Sequence, residues 1–296
     1  MSARDLFLYI TSVLIWGTTW LAITFQLGIV PVEVSVAYRF ALAALLLLGY
    51  CAARRLPLRF SFADHRFMAL QGLFLFGLNY LLTYHAERFI SSGLTAVGFT
   101  AIVFLNIVGA RLVFGTPITR PMILGASLGA LGIALVFWRD LSGFEASRNG
   151  VTGLGLIVGA ATISSVGNLL SAWNQKRGLP VVQSNAIGMV YGALLVAVIA
   201  ILAGEDFRVE PTLSYLGSLF YLALFGTAIA FGAYLSLLGR IGAAKAGYAS
   251  ILFPLVALAL STWVEGFVWH GTAVAGMALS LAGNVIILRR RAAQPA

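Results

Sequence analysis

Charge is scarce in this sequence. Only 10% of its 296 residues are charged, and the 10 acidic residues are outnumbered by 19 basic ones. Hydrophobic residues make up 60% of the chain, which is too apolar a composition for a water-soluble globule of this length. The composition therefore excludes the soluble globular class and indicates an integral membrane protein.

Cysteine is almost absent, and histidines do not cluster. Cys51 is the single cysteine, so a disulfide within the chain and a cysteine metal site are excluded. His65, His85 and His270 are scattered, whereas a membrane-embedded enzyme, the rival class, needs a catalytic dyad or a set of metal ligands. We therefore predict no enzymatic activity, no cofactor and no metal.

Hydrophobic runs of roughly 20 residues recur along the chain, bounded by charges or by Pro and Gly turns. They are too long for barrel strands, and helices satisfy their backbone hydrogen bonds internally, as hydrocarbon requires. We therefore predict an all-α integral membrane protein with ten transmembrane helices. The predicted spans are 6–25, 34–53, 67–84, 94–114, 122–138, 151–173, 182–203, 213–238, 246–264 and 272–288.

Basic residues in the loops predict how these spans are oriented. If ten helices alternate, most basic residues lie on one side of the membrane, which the positive-inside rule identifies as cytoplasmic. These residues are Arg4, Arg54, Arg55, Arg59, Arg66, Arg111, Arg120, Lys176, Arg177, Arg240, Lys245 and Arg289 to Arg291. Both termini are thus predicted to be cytoplasmic in a multi-pass protein of the cell (inner) membrane. The net charge of +9 reflects this topology and implies no nucleic-acid partner.

Two segments of the chain are weak copies of each other. Residues 124–136 (LGASLGALGIALV) and 275–287 (AGMALSLAGNVII) are offset by 151 positions. The offset aligns Gly125 with Gly276, and it also aligns a second pair of glycines, at 132 and 283. A stripe of small residues is often only a helix-packing face, but here the predicted number of spans also favours duplication.

Duplication determines the predicted topology. Five spans per copy is an odd number, so the second copy must lie in the membrane inverted relative to the first, which is the plan of many secondary transporters. We predict repeats at residues 1–144 and 145–296. Two such halves can open in turn to each side of the membrane around a central site. We expect a monomer or a weak homo-oligomer with the lipid bilayer and a small-molecule substrate as its partners.

Three stretches carry a resemblance to a known family. They are Trp16-Gly17-Thr18-Thr19-Trp20, Arg39-Phe40 and residues 226–265, which contain a Gly-Ala-Ala turn, a proline and a closing Glu-Gly. The chain resembles the EamA-type transporters of the drug/metabolite transporter superfamily over nearly its whole length. The second half is the stronger match, since Val103 and Phe114 stand where the offset would place the proline and the glutamate.

The resemblance implies a fold and a function. It implies ten helices with cytoplasmic ends, a central cavity lined chiefly by the first, third, fourth, sixth, eighth and ninth helices, and movement of metabolites such as amino acids. Some relatives that the chain resembles export aromatic amino acids.

Polar and aromatic side chains inside the spans are candidates for lining a cavity, because burying a polar group in hydrocarbon without a partner is costly. The alternative for each is a packing contact or an interhelical hydrogen bond worth about 0.6 kcal/mol. The candidates are Phe76, Asn79, Tyr80, Thr83, Tyr84, Phe99, Tyr234, Tyr248 and Phe253. Such a cavity suits uncharged or zwitterionic molecules with an apolar side chain, and neutral amino acids fit that description.

Arg39 is a basic residue inside a predicted span, away from the basic residues of the loops and span ends. It lies about 9 Å along its helix from Glu33, so it either forms an ion pair or snorkels to the interface. The functional alternative is an anchor for a substrate carboxylate.

Pro254, Trp16 and Gly17 are candidates for a gate or hinge. Pro254 is the only proline deep inside a span, and it should kink its helix, either as part of a gate or as a static bend. Trp16 and Trp20 share a helix face, and Gly17 allows close helix approach. This group either forms a structural seam or walls the cavity.

Acidic residues are missing from the middle of every predicted span. Glu33, Glu87 and Glu265 all lie near predicted outer ends, so no carboxylate occupies the usual position of a proton relay. This pattern favours uniport or exchange of amino acids out of the cytoplasm. The alternative is a proton-coupled multidrug or cation exporter, in which His85 is the residue best placed to titrate.

Overall fold

The structure is a computed structural model and describes residues 2–139, 146–234, 237 and 249–291. Within these residues the regular secondary structure is helical. The helices are α1 (Ala3–Thr24), α2 (Val32–Ala53), α3 (Phe62–Ala86), α4 (Ser92–Phe114), α5 (Arg120–Val136), α6 (Ala146–Lys176), α7 (Val181–Leu202), α8 (Leu213–Tyr234), α9 (Ala249–Val264) and α10 (Gly271–Arg291). Each overlaps one of the predicted spans.

Seven of these helices, searched over the described residues, are long and apolar enough to cross a membrane: α1 to α4 and α6 to α8. A helix of 22 residues such as α2 is about 33 Å long, which matches the hydrocarbon thickness of a bilayer. Shorter apolar helical stretches are found at Arg120–Val136, Leu252–Val264 and Gly271–Gly283. The prediction of an all-α membrane protein is confirmed at this level.

Local sequence signals explain where several helices begin and end. Ser61 and Asp64 form a capping box before α3, so this helix begins earlier than the predicted start at residue 67. Ser91 and Thr212 each accept a backbone N–H at the start of α4 and α8, which satisfies donors that the first turn leaves open. Gly115 ends α4 with a φ of 68°, a conformation that glycine adopts without a steric penalty.

Two π-helical segments interrupt otherwise α-helical spans. One is Leu73–Leu78 within α3, and the other is Leu224–Ile229 within α8. They are separated by the same offset of 151 residues that aligns the two predicted repeats. In the second segment the Thr227 hydroxyl donates to the Leu222 carbonyl, five residues earlier, at 2.9 Å. Such wide turns are rare and are found frequently at functional sites.

Helix α4 is also interrupted, which the sequence did not predict. It consists of Ser92–Phe99 and Ile102–Phe114, separated by Thr100 and Ala101. The backbone N–H of Thr100 donates to Val97 three residues earlier, and its side-chain hydroxyl donates to the same carbonyl at 2.7 Å. The hydroxyl thus competes for the carbonyl that a regular α-helix would use.

The chain divides into two compact units. The first contains Met1–Leu21, Ala86–Val158 and Ala230–Ala296, and the second contains Ala22–His85 and Gly159–Ile229. Each unit takes segments from both predicted repeats. The boundaries of the two compact units therefore differ from the boundaries of the two predicted repeats.

Within the first unit, α5 and α10 pack through glycines. A Cβ atom on Gly132 would lie 2.5 Å from the carbonyl oxygen of Gly276, and one on Gly283 would collide with the carbonyl oxygen of Gly125. The pairing runs antiparallel, because the higher residue number on α5 meets the lower one on α10. Glycine is required at this seam because the two backbones touch.

Within the second unit, α2 packs against α7, and α3 crosses α7 closely. Val34, near the start of α2, shares a buried cluster with Ala200, near the end of α7, so these helices are antiparallel as well. Gly72 of α3 lies against the backbone of Gly188. Cys51, near the end of α2, is fully buried.

Candidate functional site

A buried arginine forms the centre of a polar and aromatic cluster in the second unit. Helix α2 places Arg39 with only 1% of its surface exposed. Its Nη1 donates to the Tyr84 hydroxyl at 3.4 Å, its Nη2 donates to the Thr227 hydroxyl at 3.5 Å, and its guanidinium carbon lies 4.5 Å from the centroid of the Tyr80 ring. Both hydrogen bonds are longer than is usual for N–H···O, whereas a guanidinium forms shorter, stronger hydrogen bonds with a carboxylate.

The surroundings of Arg39 differ from those expected for snorkelling or for an ion pair with Glu33. A side chain that is 1% exposed does not snorkel to an interface. The Glu33 carboxylate, its expected partner, instead contacts Nε2 of His85 at 3.0 Å. Among its described contacts, the guanidinium lies against the Tyr80 ring and the hydroxyls of Tyr84 and Thr227.

Aromatic rings surround the same position. The ring of Phe40 lies 4.7 Å from that of Tyr80 and 5.7 Å from that of Phe76. Phe76 and Tyr80 are four residues apart, so α3 presents both on one face. The cluster therefore combines a cation with apolar ring surface.

Asn79 and Thr83 differ in whether all of their side-chain polar atoms form hydrogen bonds. The Thr83 hydroxyl donates to the Asn79 carbonyl at 3.0 Å, and Asn79 Nδ2 donates to the Leu75 carbonyl at 3.2 Å. Asn79 Oδ1 is buried and accepts no hydrogen bond from the described residues. A buried acceptor of this kind is costly unless something supplies a donor.

A second group of predicted residues lies in the first unit. The Trp16 ring lies 5.4 Å from Phe231 and 5.0 Å from Tyr234, between centroids. The Trp20 ring lies 5.3 Å from Phe99 and 6.1 Å from Phe253. Helix α1 thus contacts α4, α8 and α9 through two tryptophans one turn apart, and Tyr248 lies outside the described residues.

Gly17 and Pro254 belong to the contact between α1 and α9. A Cβ atom on Gly17 would lie 2.5 Å from Cβ of Val256 and 3.3 Å from the Phe253 carbonyl oxygen. Helix α9 continues on both sides of Pro254. The α1 backbone therefore lies directly against the turn that contains the proline.

Several polar contacts were not predicted from the sequence. In the second unit, Gln71 donates to Asn185 at 2.7 Å and accepts from Asn174 at 2.8 Å. The Arg177 guanidinium pairs with Asp64 at 3.0 Å. The amides were visible in the sequence, but no local signal relates residues more than 100 positions apart.

Glu265 has a clear structural role in the first unit. Its carboxylate accepts the Ser92 backbone N–H at 3.1 and 3.2 Å and the Ser92 hydroxyl at 2.5 Å. It thereby caps the start of α4, where a negative charge is favoured. The glutamate that closes α9 ties that helix to α4.

A family pattern matches the chain twice. The pattern of the EamA-like transporter family matches residues 4–138 and again residues 151–289. The chain belongs to the EamA-like transporter family. The double match confirms the predicted duplication and the predicted family resemblance.

Curated relatives of this EamA-like transporter are similar over most of their length. It is 28% identical over 257 residues to "Uncharacterized inner membrane transporter YedA" of Escherichia coli (strain K12), covering 86% of the chain and 80% of the relative. It is 25% identical over 294 residues to "Probable amino-acid metabolite efflux pump" of Salmonella typhimurium, covering 97% and 95%. The EamA-like transporter is thus a membrane transporter.

A solved structure, titled "Crystal structure of protein", has a similar fold. The match has a TM-score of 0.69 and 21% sequence identity, and it covers 98% of this EamA-like transporter and 99% of that chain. This likeness concerns the fold alone.

Proposed function

We propose that this EamA-like transporter exports small metabolites, above all neutral and aromatic amino acids, from the cytoplasm. The observation that carries the proposal is the buried guanidinium of Arg39 with its long contacts to two hydroxyls. Guanidinium matches a carboxylate in charge and in fork geometry. The rings of Phe40, Phe76 and Tyr80 supply apolar surface for a side chain.

Two further observations support amino acids as the substrate class. Asn79 Oδ1 is a buried acceptor without a donor among the described residues, and an ammonium group would supply one. A relative that aligns over 97% of the chain bears the name "Probable amino-acid metabolite efflux pump". The name also supports export as the direction of transport.

We propose that the repeats 1–144 and 145–296 are inverted five-helix units, giving ten transmembrane helices with both termini cytoplasmic. The glycine seam between α5 and α10 supports inversion. Gly125 and Gly276 are equivalent in the repeats, as are Gly132 and Gly283. In the seam, however, Gly132 packs against Gly276, and Gly125 packs against Gly283. Such reciprocal contact is what a two-fold axis between equivalent helices produces.

Transport proceeds by alternating access in this proposal. The π-helical segments Leu73–Leu78 and Leu224–Ile229 give α3 and α8 places where the hydrogen-bond register can change. Arg39 contacts Tyr84 of α3 and Thr227 of α8. A carboxylate that draws the guanidinium away from these hydroxyls would change the contacts of both helices at once. A ligand shifts a conformational equilibrium only when it binds the two conformations differently, and this change of contacts would provide such a difference.

The proposed mechanism is uniport or exchange. Glu33 and Glu265, at helix ends, already bind His85 and Ser92. A buried arginine at the site also repels a cationic substrate at short range. These contacts favour amino-acid transport over the alternative, proton-coupled export of cationic drugs.

The test is flux into liposomes that contain the purified protein. Labelled leucine and phenylalanine are compared with a labelled quaternary ammonium compound, with and without a pH gradient. We expect uptake of the amino acids only, at the same rate without the pH gradient. Flux of the cation alone, or flux that collapses when only the pH gradient is removed, would refute the proposal.

A further inference from the structure

A groove of about 460 Å³ lies at the start of α3 in the second unit. Its lining comprises Phe62, His65, Arg66, Ala69 and Tyr191. The four residues from α3 have the spacing i, i+3, i+4 and i+7, so they form one face of its first two turns. Tyr191 comes from α7, which closes the groove on the other side.

The groove has a basic end. Arg66 is exposed, and no carboxylate of the described chain lies within ion-pair distance of it. The nearby Asp64 carboxylate already pairs with Arg177 at 3.0 Å. The Arg66 charge is therefore available to an anion from outside the protein.

The loop before α3 adds to this charge. The Phe60 ring lies 6.5 Å from the His65 ring, so the end of the loop folds against the first turn of α3. Arg59 precedes Phe60 directly, and Arg54 and Arg55 are exposed earlier in the same loop. Several positive charges thus lie in the loop that leads into this end of α3.

The rest of the groove is suited to hydrocarbon. The Phe62 side chain is 82% exposed, which is unfavourable in water and favourable at a membrane interface. The Tyr191 hydroxyl is held by Nδ1 of His65 at 2.9 Å, although Tyr191 lies halfway along the membrane-length helix α7. The groove therefore extends from the basic end of α3 toward the apolar depth of the bilayer.

We propose that this groove is a binding site for an anionic phospholipid. The phosphate group contacts Arg66 and the basic loop, and an acyl chain lies along Phe62, Ala69 and Tyr191. The charge distribution of the loops assigns this end of α3 to the cytoplasmic leaflet, where anionic lipids attract basic residues near the membrane surface. The site is independent of the Arg39 cluster and of the transported substrate.

The test measures lipid retention by the intact purified protein, using native mass spectrometry after incubation with phosphatidylglycerol or phosphatidylcholine. We expect the protein to retain phosphatidylglycerol preferentially. Arg66→Gln should weaken this retention roughly fivefold, which corresponds to the loss of one basic residue at the surface. The matched control is Arg120→Gln, which removes another exposed arginine on the same predicted side and should leave retention unchanged.

A second variant separates the groove from general electrostatics. Ala69→Trp fills the groove without changing any charge, and it should reduce retention of phosphatidylglycerol as Arg66→Gln does. Equal effects of Arg66→Gln and Arg120→Gln would overturn the proposal, because they indicate diffuse attraction. Full retention by Ala69→Trp, or displacement of the lipid by excess inorganic phosphate, would overturn it as well.

Discussion

Phe76 and Thr227 occupy equivalent positions in the two repeats, 151 residues apart, and both lie in π-helical segments next to the Arg39–Phe40 pair. The Phe76 ring contacts the Phe40 ring, with centroids 5.7 Å apart, and the Thr227 hydroxyl lies 3.5 Å from Arg39 Nη2. One repeat thus contributes an apolar wall and the other a hydroxyl. The equivalent π-helical segments of the two repeats therefore carry side chains of different chemistry at this position.

Replacement of Arg39 by lysine should lower amino-acid flux by about tenfold or more. Lysine keeps the charge but loses the planar fork and the stacking on Tyr80, and a hydrogen bond to a charged group contributes about 1.5–3 kcal/mol. Flux into liposomes measures the effect. The control is Arg177→Lys, which alters a half-exposed pair with Asp64 and should leave flux nearly unchanged. Normal flux with Arg39→Lys would remove the anchor role.

Replacement of Thr227 by valine should weaken the apparent substrate affinity about two- to tenfold. The change preserves shape but removes a hydroxyl that donates to Leu222 and accepts from Arg39, and one hydrogen bond contributes about 0.5–1.5 kcal/mol. The dependence of flux on substrate concentration measures the change. Thr227→Ser restores the hydroxyl and should recover most of the affinity. Equal affinities for both variants would contradict the assignment.

Replacement of Pro254 by alanine should slow transport without changing substrate affinity. Alanine restores a backbone donor at the turn of α9 that packs on Gly17 and removes the steric clash of the proline ring. The rate of flux at saturating substrate, compared with binding measured by calorimetry, separates the two effects. A folded Pro254→Ala protein that transports at the normal rate would show that the proline only shapes the bundle.

Replacement of Gly132 by alanine should destabilise the protein by about 1–3 kcal/mol, which is the usual cost of overpacking a close contact. The added Cβ would lie 2.5 Å from the Gly276 carbonyl oxygen. The control is Gly155→Ala in α6, where no atom lies within 4 Å of the new Cβ. Thermal unfolding in detergent should show a lower midpoint for the first variant only.

The Glu265–Ser92 contact should show a coupling free energy of about 1 kcal/mol. The carboxylate accepts both the backbone N–H and the hydroxyl of Ser92, and residues joined in one network are not additive. Glu265→Gln, Ser92→Ala and the double variant form the cycle, with the free energy of unfolding as the measurement. Additive effects would show that the carboxylate–hydroxyl contact contributes little.

The duplication could be predicted from the sequence because some equivalent positions of the two repeats have the same residue. Gly125, Gly132, Gly276 and Gly283 were aligned by their offset, and the structure places all four in one seam. Which glycines touch across the seam could not be predicted, because the offset shows which positions are equivalent and not which positions are in contact. Hydrophobic length likewise predicted where the helices lie.

The irregular parts of the helices could not be predicted in the same way. The π-helical segments and the interruption at Thr100 depend on which carbonyl accepts each backbone N–H, and packing determines that pairing. Arg39 was predicted as a candidate, but its partners Tyr84 and Thr227 come from distant parts of the chain. Composition indicates what a buried group needs, whereas only the fold shows which residues supply it.

The burial of Cys51 has a practical consequence for following the transport cycle. A thiol with no exposed surface reacts slowly with maleimides and spin-label reagents, so the native protein gives little background. A cysteine introduced at a helix end would then carry the probe almost alone. Distances between pairs of such probes, with and without phenylalanine, would record how far the π-helical segments let α3 and α8 bend.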